Sequence, residues 1–302
     1  MLLRALRLGG AMLLLTLAAT ATMMVEPAAS ATRTVAHRKT AAKTVKARAH
    51  RRGPKGVVYA RNAIVVDPQT DQVLYAKNAD VGAPIASLTK LMSVLVFLDQ
   101  HPDLRRTAEV TQVEITGGHH TRLRNHMKIS LYDLLHMSLM CSDNVATRVL
   151  ERESGLSHDA FVDKMNDQAR EMGLTHTRFV EPTGLDERNV SSAADMAKLL
   201  EKAAKNDLIR GITTTQSYVF VSGRHTFHVV NTNRLLKSRY EVNCGKTGYI
   251  DPSGYCIATW IRSRGRDLIA VVLGAPTNAT RFADVVRLVQ HTAQPGLTDD
   301  RE

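Results

Sequence analysis

Residues 84–98 read PIASLTKLMSVLVFL, and the organisation of the chain follows from them. Pro84 suits a helix opening, because its missing N–H would have no partner there anyway. From Ile85 to Leu98 the stretch is apolar, of helical length and without a breaker, which predicts a buried helix. Ser87 and Lys90 stand three apart at its start, so hydroxyl and amine project from one face. That pairing suits a nucleophile beside its base. Alone the spacing is weak: it arises by chance roughly once in a few hundred residues, and with nothing else matching, a polar helix start with an exposed lysine is the favoured reading.

Upstream, Ala63–Asp67 and Gln72–Tyr75 are short Val- and Ile-bearing runs separated by Pro68, Gln69, Thr70 and Asp71, which predicts a β-hairpin. Downstream the chain is helical. Ser130 and Asp133 open a periodic run that stops near Cys141, a second helix spans about Asn144 to Glu153, and others fit Ser157–Met172 and Ser191–Asn206. Strand signals return at Tyr218–Val221, Thr226–Val230, Tyr240–Gly248, Tyr255–Arg262 and Leu268–Leu273, expected to form an antiparallel sheet, with a last helix from about Ala279 to Thr292. Strands at both ends with helices between imply a sheet completed by both termini, a helical insert beside it and a site at the seam.

The net charge of +11 is uneven. Residues 32–55 hold nine Lys or Arg and no acid, and the first 31 residues contribute one more positive charge, which leaves +1 on residues 56–302. The folded body is nearly neutral, so the charge gives no reason to expect a polyanion on it. Arg4 and Arg7 precede an uncharged stretch from Leu8 to Val25 and the small-residue run Ala28, Ala29, Ser30, Ala31, the layout of a secretory signal peptide cleaved near residue 30. An uncleaved anchor is the other reading, since the stretch sits at the lower edge of bilayer-spanning length. Export to the periplasm or cell envelope follows from either, and nucleic acid is excluded as a partner. The basic stretch lacks aromatic residues and reads as a disordered linker, either a solvated spacer or a contact for anionic envelope polymers or membrane.

Cys141, Cys244 and Cys256 are an odd number for an oxidising compartment, and the expectation is no structural disulfide. His119 and His120, beside Gly117 and Gly118, lack further ligands at useful spacing, so no metal and no cofactor is expected.

Two more triplets lift Ser87 and Lys90 above coincidence. Ser142, Asp143 and Asn144 fall at the break between two predicted helices, and Lys246, Thr247 and Gly248 fall on a predicted strand ahead of the Asp251–Gly254 turn. With these three motifs in this order, the chain resembles the penicillin-binding serine transpeptidase and β-lactamase superfamily. Phe179–Leu185 (FVEPTGL) and Ser191–Ala197 (SSAADMA) make it similar to the low-molecular-mass D,D-carboxypeptidases and D,D-endopeptidases over about residues 58–293. Asn231, Thr232 and Asn233, and Thr121 to Arg124, favour the endopeptidase branch.

The resemblance implies an α+β, penicillin-binding/β-lactamase-like fold: an antiparallel five-stranded sheet flanked by helices, with an all-helical subdomain inserted and the active site at the seam. Residues 1–30 are then the signal peptide, 31–56 the linker, 57–293 the catalytic domain with its insert at about 108–212, and 294–302 a C-terminal tail. The implied chemistry is cleavage of D-Ala-diaminoacid crosslinks in peptidoglycan stem peptides through an acyl-Ser87 intermediate, with carboxypeptidase action as the alternative and β-lactam antibiotics as covalent inhibitors. Lys90 is the base, which requires its pKa to fall from about 10.4 to 7–8, about 3–4 kcal/mol, by burial and a like charge such as Lys246. Ser142 relays the proton from Lys90 to the leaving amine. Asn144, Lys246, Thr247 and Gly248 bind substrate, and the backbone N–H groups of Ser87 and Tyr249 form the oxyanion hole. A β-lactamase would need a deacylating glutamate, for which Glu181 is the loop candidate. A non-catalytic envelope-binding module is disfavoured because every polar catalytic position is filled.

Overall fold

The computed structural model describes residues 58–119 and 121–292. The expected signal peptide, basic linker, C-terminal tail and His120 lie outside the described residues.

The sheet order is Gln72–Lys77, Asn62–Asp67, Arg266–Ala275, Gly254–Ser263, Glu241–Ile250, every pairing antiparallel. The N-terminal hairpin thus completes a sheet whose other three strands come from the end of the chain. Side chains alternate across a strand. On Arg266–Ala275 this sends Ile269, Val271 and Leu273 into the core shared with the helices, and Leu268, Ala270 and Val272 against Phe282, Val285 and Leu288 of the closing helix Asn278–Thr292.

The quoted stretch forms a 3-10 turn, Ala86–Thr89, followed by the helix Lys90–Leu98, in which every residue from Lys90 to Phe97 is buried. A helix apolar all round belongs in a core, and this one is enclosed by Leu131–Met140, Asn144–Glu153, His158–Glu171 and Ala193–Ala204. Side-chain caps set the helix starts: Ser130 Oγ accepts from Asp133 N at 3.0 Å, and Asp143 Oδ1 accepts from Ala146 N at 2.9 Å.

Three local expectations change. Ser217–Ser222 and His225–Val230 pair only with each other and form a separate ribbon whose Phe220, Phe227 and Val229 pack on the helices. The insert is mainly helical but also holds the strand pair Thr107–Glu109 with Lys128–Ser130. A further helix, Asp207–Thr214, follows Ala193–Ala204. No helix among the described residues is long and apolar enough to cross a membrane.

Candidate active site

Ser87 sits in the 3-10 turn where the central helix meets the edge strand Glu241–Ile250. The preceding Ala86 has φ +49°, a left-handed conformation, and packing on both sides holds it there. A Cβ on Gly248 would stand 2.8 Å from Ile85 O and 3.0 Å from Ser87 N. Only glycine therefore lets the strand press against the turn carrying Ser87. Gly245 is similarly constrained, facing Asn233 and Thr259. At both positions the missing side chain serves close contact inside the protein.

Lys90 is fully buried, and its Nζ approaches Ser87 Oγ at 3.1 Å, Asn144 Oδ1 at 2.7 Å and the Thr183 carbonyl. Burial lowers its pKa from 10.5 to about 8, with Arg148 adding to the fall and Glu181 and Asp143 opposing it. The expected like-charge effect of Lys246 appears in the reverse sense: Lys246 is pushed well below an ordinary lysine by burial and then by Lys90. As a neutral amine Lys90 would donate two hydrogens to Asn144 and Thr183 and turn its lone pair to the Ser87 hydroxyl.

Ser142, at φ +61°, lies between helices Leu131–Met140 and Asn144–Glu153, and its Oγ accepts a hydrogen bond from Lys246 Nζ. Lys246 also donates to Thr247 O at 2.9 Å. No Ser142–Lys90 hydrogen bond is present among the described residues, so the relay expected from Lys90 meets Lys246 here. Asn144 Nδ2 donates to Gly118 O at 2.9 Å, which ties the Gly117–His119 loop to the site. Ser87, Ser142, Asn144, Thr247, Gly248 and Tyr249 line one open cleft of about 600 Å³.

Three contributions were not foreseen. Thr232, noted in the sequence only as a branch feature, shares a 2.6 Å hydrogen bond with Thr247 Oγ1 and is itself held by Met140 O. Buried Arg281 reaches from the last helix to the carbonyls of Gly248 at 3.0 Å and Cys256 at 3.3 Å. Nothing in the sequence signals this, since the contact joins elements 33 residues apart. Glu181 accepts from Thr183 N at 2.7 Å, Thr183 Oγ1 at 2.6 Å and Asn189 Nδ2 at 2.6 Å, besides Gly184 N. Its carboxylate is occupied in shaping the loop that presents Thr183 O to Lys90, which argues against a deacylating glutamate. Cys141, Cys244 and Cys256 are free thiols, with Cys244 opposite Trp260 and Cys256 opposite Gly248 in the sheet. No cluster of three or more metal-ligating side chains occurs among the described residues.

Residues 46–277 match the D-alanyl-D-alanine carboxypeptidase family. The D-alanyl-D-alanine endopeptidase of Escherichia coli is 34% identical over 232 residues, 75% of each chain, and that of Pseudomonas aeruginosa 35% over 232 residues, again 75% of each. The D-alanyl-D-alanine carboxypeptidase DacF of Bacillus subtilis is 33% identical over 239 residues, 76% of this chain and 61% of that one. The Streptomyces K15 DD-transpeptidase superposes with a TM-score of 0.75 over 80% of this chain and 99% of that one; at 24% identity this speaks to the fold alone. The chain belongs to the D-alanyl-D-alanine carboxypeptidase family and is a serine D,D-peptidase that acts on peptidoglycan.

Proposed function

We propose that the enzyme cleaves D-Ala-diaminoacid crosslinks as a D,D-endopeptidase through acyl-Ser87. The observation that carries the chemistry is the buried Lys90 amine 3.1 Å from Ser87 Oγ with two further acceptors fixing it. The endopeptidase preference is supported by the two relatives of that name, each matched over 75% of its length.

Two buried ammonium groups this close disfavour each other. A substrate carboxylate held by Lys246 and Thr247 favours the charged form of Lys246, and the neutral form passes to Lys90. Lys90 then takes the Ser87 proton as Oγ attacks the D-Ala carbonyl, while the N–H groups of Ser87 and Tyr249 receive the oxyanion. Ser142 gives its proton to the leaving nitrogen and is reprotonated by Lys246. In deacylation water replaces the amine: its proton returns through Ser142 to Lys246, and Lys90 restores the Ser87 hydroxyl. Asn144 orients the acyl-side amide and Gly248 keeps the strand against Ser87. A β-lactam presents a strained amide beside a carboxylate, so it acylates Ser87 by the same steps.

Residues 1–30 and 31–56 serve as signal peptide and basic linker of an enzyme exported to the periplasm or cell envelope, and 57–293 as its catalytic domain. The layout of Arg4, Arg7 and the uncharged stretch after them supports this.

Crosslinked muropeptide dimers and monomeric pentapeptides, incubated with wild type and Ser87→Ala and resolved by mass spectrometry, test the proposal. Serine-dependent conversion of dimers to monomers is expected. Loss of a terminal D-alanine from pentapeptides with dimers intact would make it a carboxypeptidase.

A further inference from the structure

A second cavity, of about 740 Å³, lies beside the catalytic cleft, and His119 and Leu185 line both. Leu156 and Pro182 give it apolar wall. It lies on the acyl side, because the leaving-side carboxylate goes to Lys246 and Thr247 while Asn144 holds the acyl-side amide. Asn144 opens the helix Asn144–Glu153, and Arg148 and Glu151 of that helix line the new cavity. Positions 144, 148 and 151 share one helix face, with a rise of 1.5 Å per residue, so Arg148 and Glu151 stand about 6 Å and about 10 Å along the axis from Asn144.

The two charges do not pair with each other. Arg148 spends Nη1 on the carbonyls of Thr116 at 2.7 Å and Glu114 at 3.2 Å, and makes no ion pair among the described residues. Glu151 is 13% exposed and meets only the ring of His158, at 2.6 Å, while Glu181 on the same wall is occupied by its own loop. A cation and an anion therefore line one pocket without bridging each other, together with Leu156, Pro182 and Leu185.

We infer that this cavity is the subsite for the diamino acid that precedes the scissile D-alanine: its methylene arm lies over Leu185 and Leu156, and its side-chain end places a carboxylate on Arg148 and an ammonium on Glu151. The inference rests on the D,D-peptidase reading and extends it to the residue recognised on the acyl side. An arm of four or five carbons spans the distance from Asn144 to Arg148.

Three crosslink mimics, each an N-acylated X-D-Ala joined through its D-alanine carbonyl to the D-centre amine of diaminopimelate, with X as meso-diaminopimelate, lysine or norleucine, test it through kcat/KM, with benzylpenicillin acylation as the control for fold and chemistry. Wild type is expected to favour the diaminopimelate peptide over norleucine by tenfold or more, with lysine between. Glu151→Gln and Arg148→Gln each cut that preference about fivefold, Leu156→Trp abolishes it by filling the cavity, and Leu156→Trp keeps the penicillin rate. Equal kcat/KM for the three peptides with wild type, or variants that lower all three in proportion, would overturn the subsite while leaving the peptidase reading intact. Failure of wild type on all three, norleucine included, would overturn both.

Discussion

Placing a carboxylate against Lys90 separates its role as base from a merely structural one. A pKa of about 8 leaves about one molecule in ten with a neutral Lys90 at pH 7, against about one in three thousand for a lysine at 10.5. Burial thus supplies about 3 kcal/mol toward the reactive form. The base is the deprotonated form, so the second-order rate of acylation by a fluorescent penicillin should rise tenfold per pH unit below about 8 and level off above it. Asn144→Asp puts a carboxylate where Oδ1 now stands, 2.7 Å from Nζ. An opposite charge at that range raises a lysine by one to three pH units. The break should move above pH 9, and the rate at pH 7 should fall at least tenfold and recover in part at high pH. A wild-type profile flat from pH 6 to 9, or a break unmoved in Asn144→Asp, would refute the reasoning. Stability carries the same sign: the unfolded chain binds more protons than the native one between pH 8 and 10.5, so Lys90 makes the fold more stable as pH rises through that window.

Other consequences are equally direct. Gly184→Ala places a Cβ 2.0 Å from Ala86 O at a residue with φ +83°, and should cost about 2 kcal/mol or more in urea unfolding and slow acylation, because Ala86 positions Ser87; unchanged stability counts against it. Thr232→Val removes the 2.6 Å bond to Thr247 and should raise KM about fivefold with the melting temperature little changed, whereas a change in kcat alone would assign Thr232 elsewhere. Burial pushes the thiols of Cys141 and Cys244 up to about 11 and raises Cys256, so at pH 8 a disulfide reagent should react slowly with native protein and with three thiols after denaturation; one fast thiol in the native state contradicts this.

What the sequence made legible was local chemistry. Ser130 and Asp133 mark a helix start by side-chain capping, and that helix begins at Leu131. Helix Asn144–Glu153 likewise begins behind Asp143. The three motifs come together: Lys90 bonds to Ser87 and Asn144, and Lys246 to Ser142. Pairing was less legible. The ribbon Ser217–Ser222 and His225–Val230 has the alternation of a sheet strand, but alternation does not say which edge a strand joins. Asp207–Thr214 escaped because it is eight residues long and contains Gly211. The left-handed backbone at Ala86 and Ser142 had no residue signal, since neither is glycine. Arg281 acts on carbonyls brought near only by folding, and Glu181 acts on Thr183 and Gly184 of its own loop, where no residue pattern marks a carboxylate as a turn organiser.

The central claim is that Ser87 is the acylated nucleophile. Purified protein trapped with benzylpenicillin, digested and mapped by tandem mass spectrometry should carry the penicilloyl group on Ser87 alone, with no adduct in Ser87→Ala. An adduct on another residue, or one that persists in Ser87→Ala, would contradict the account.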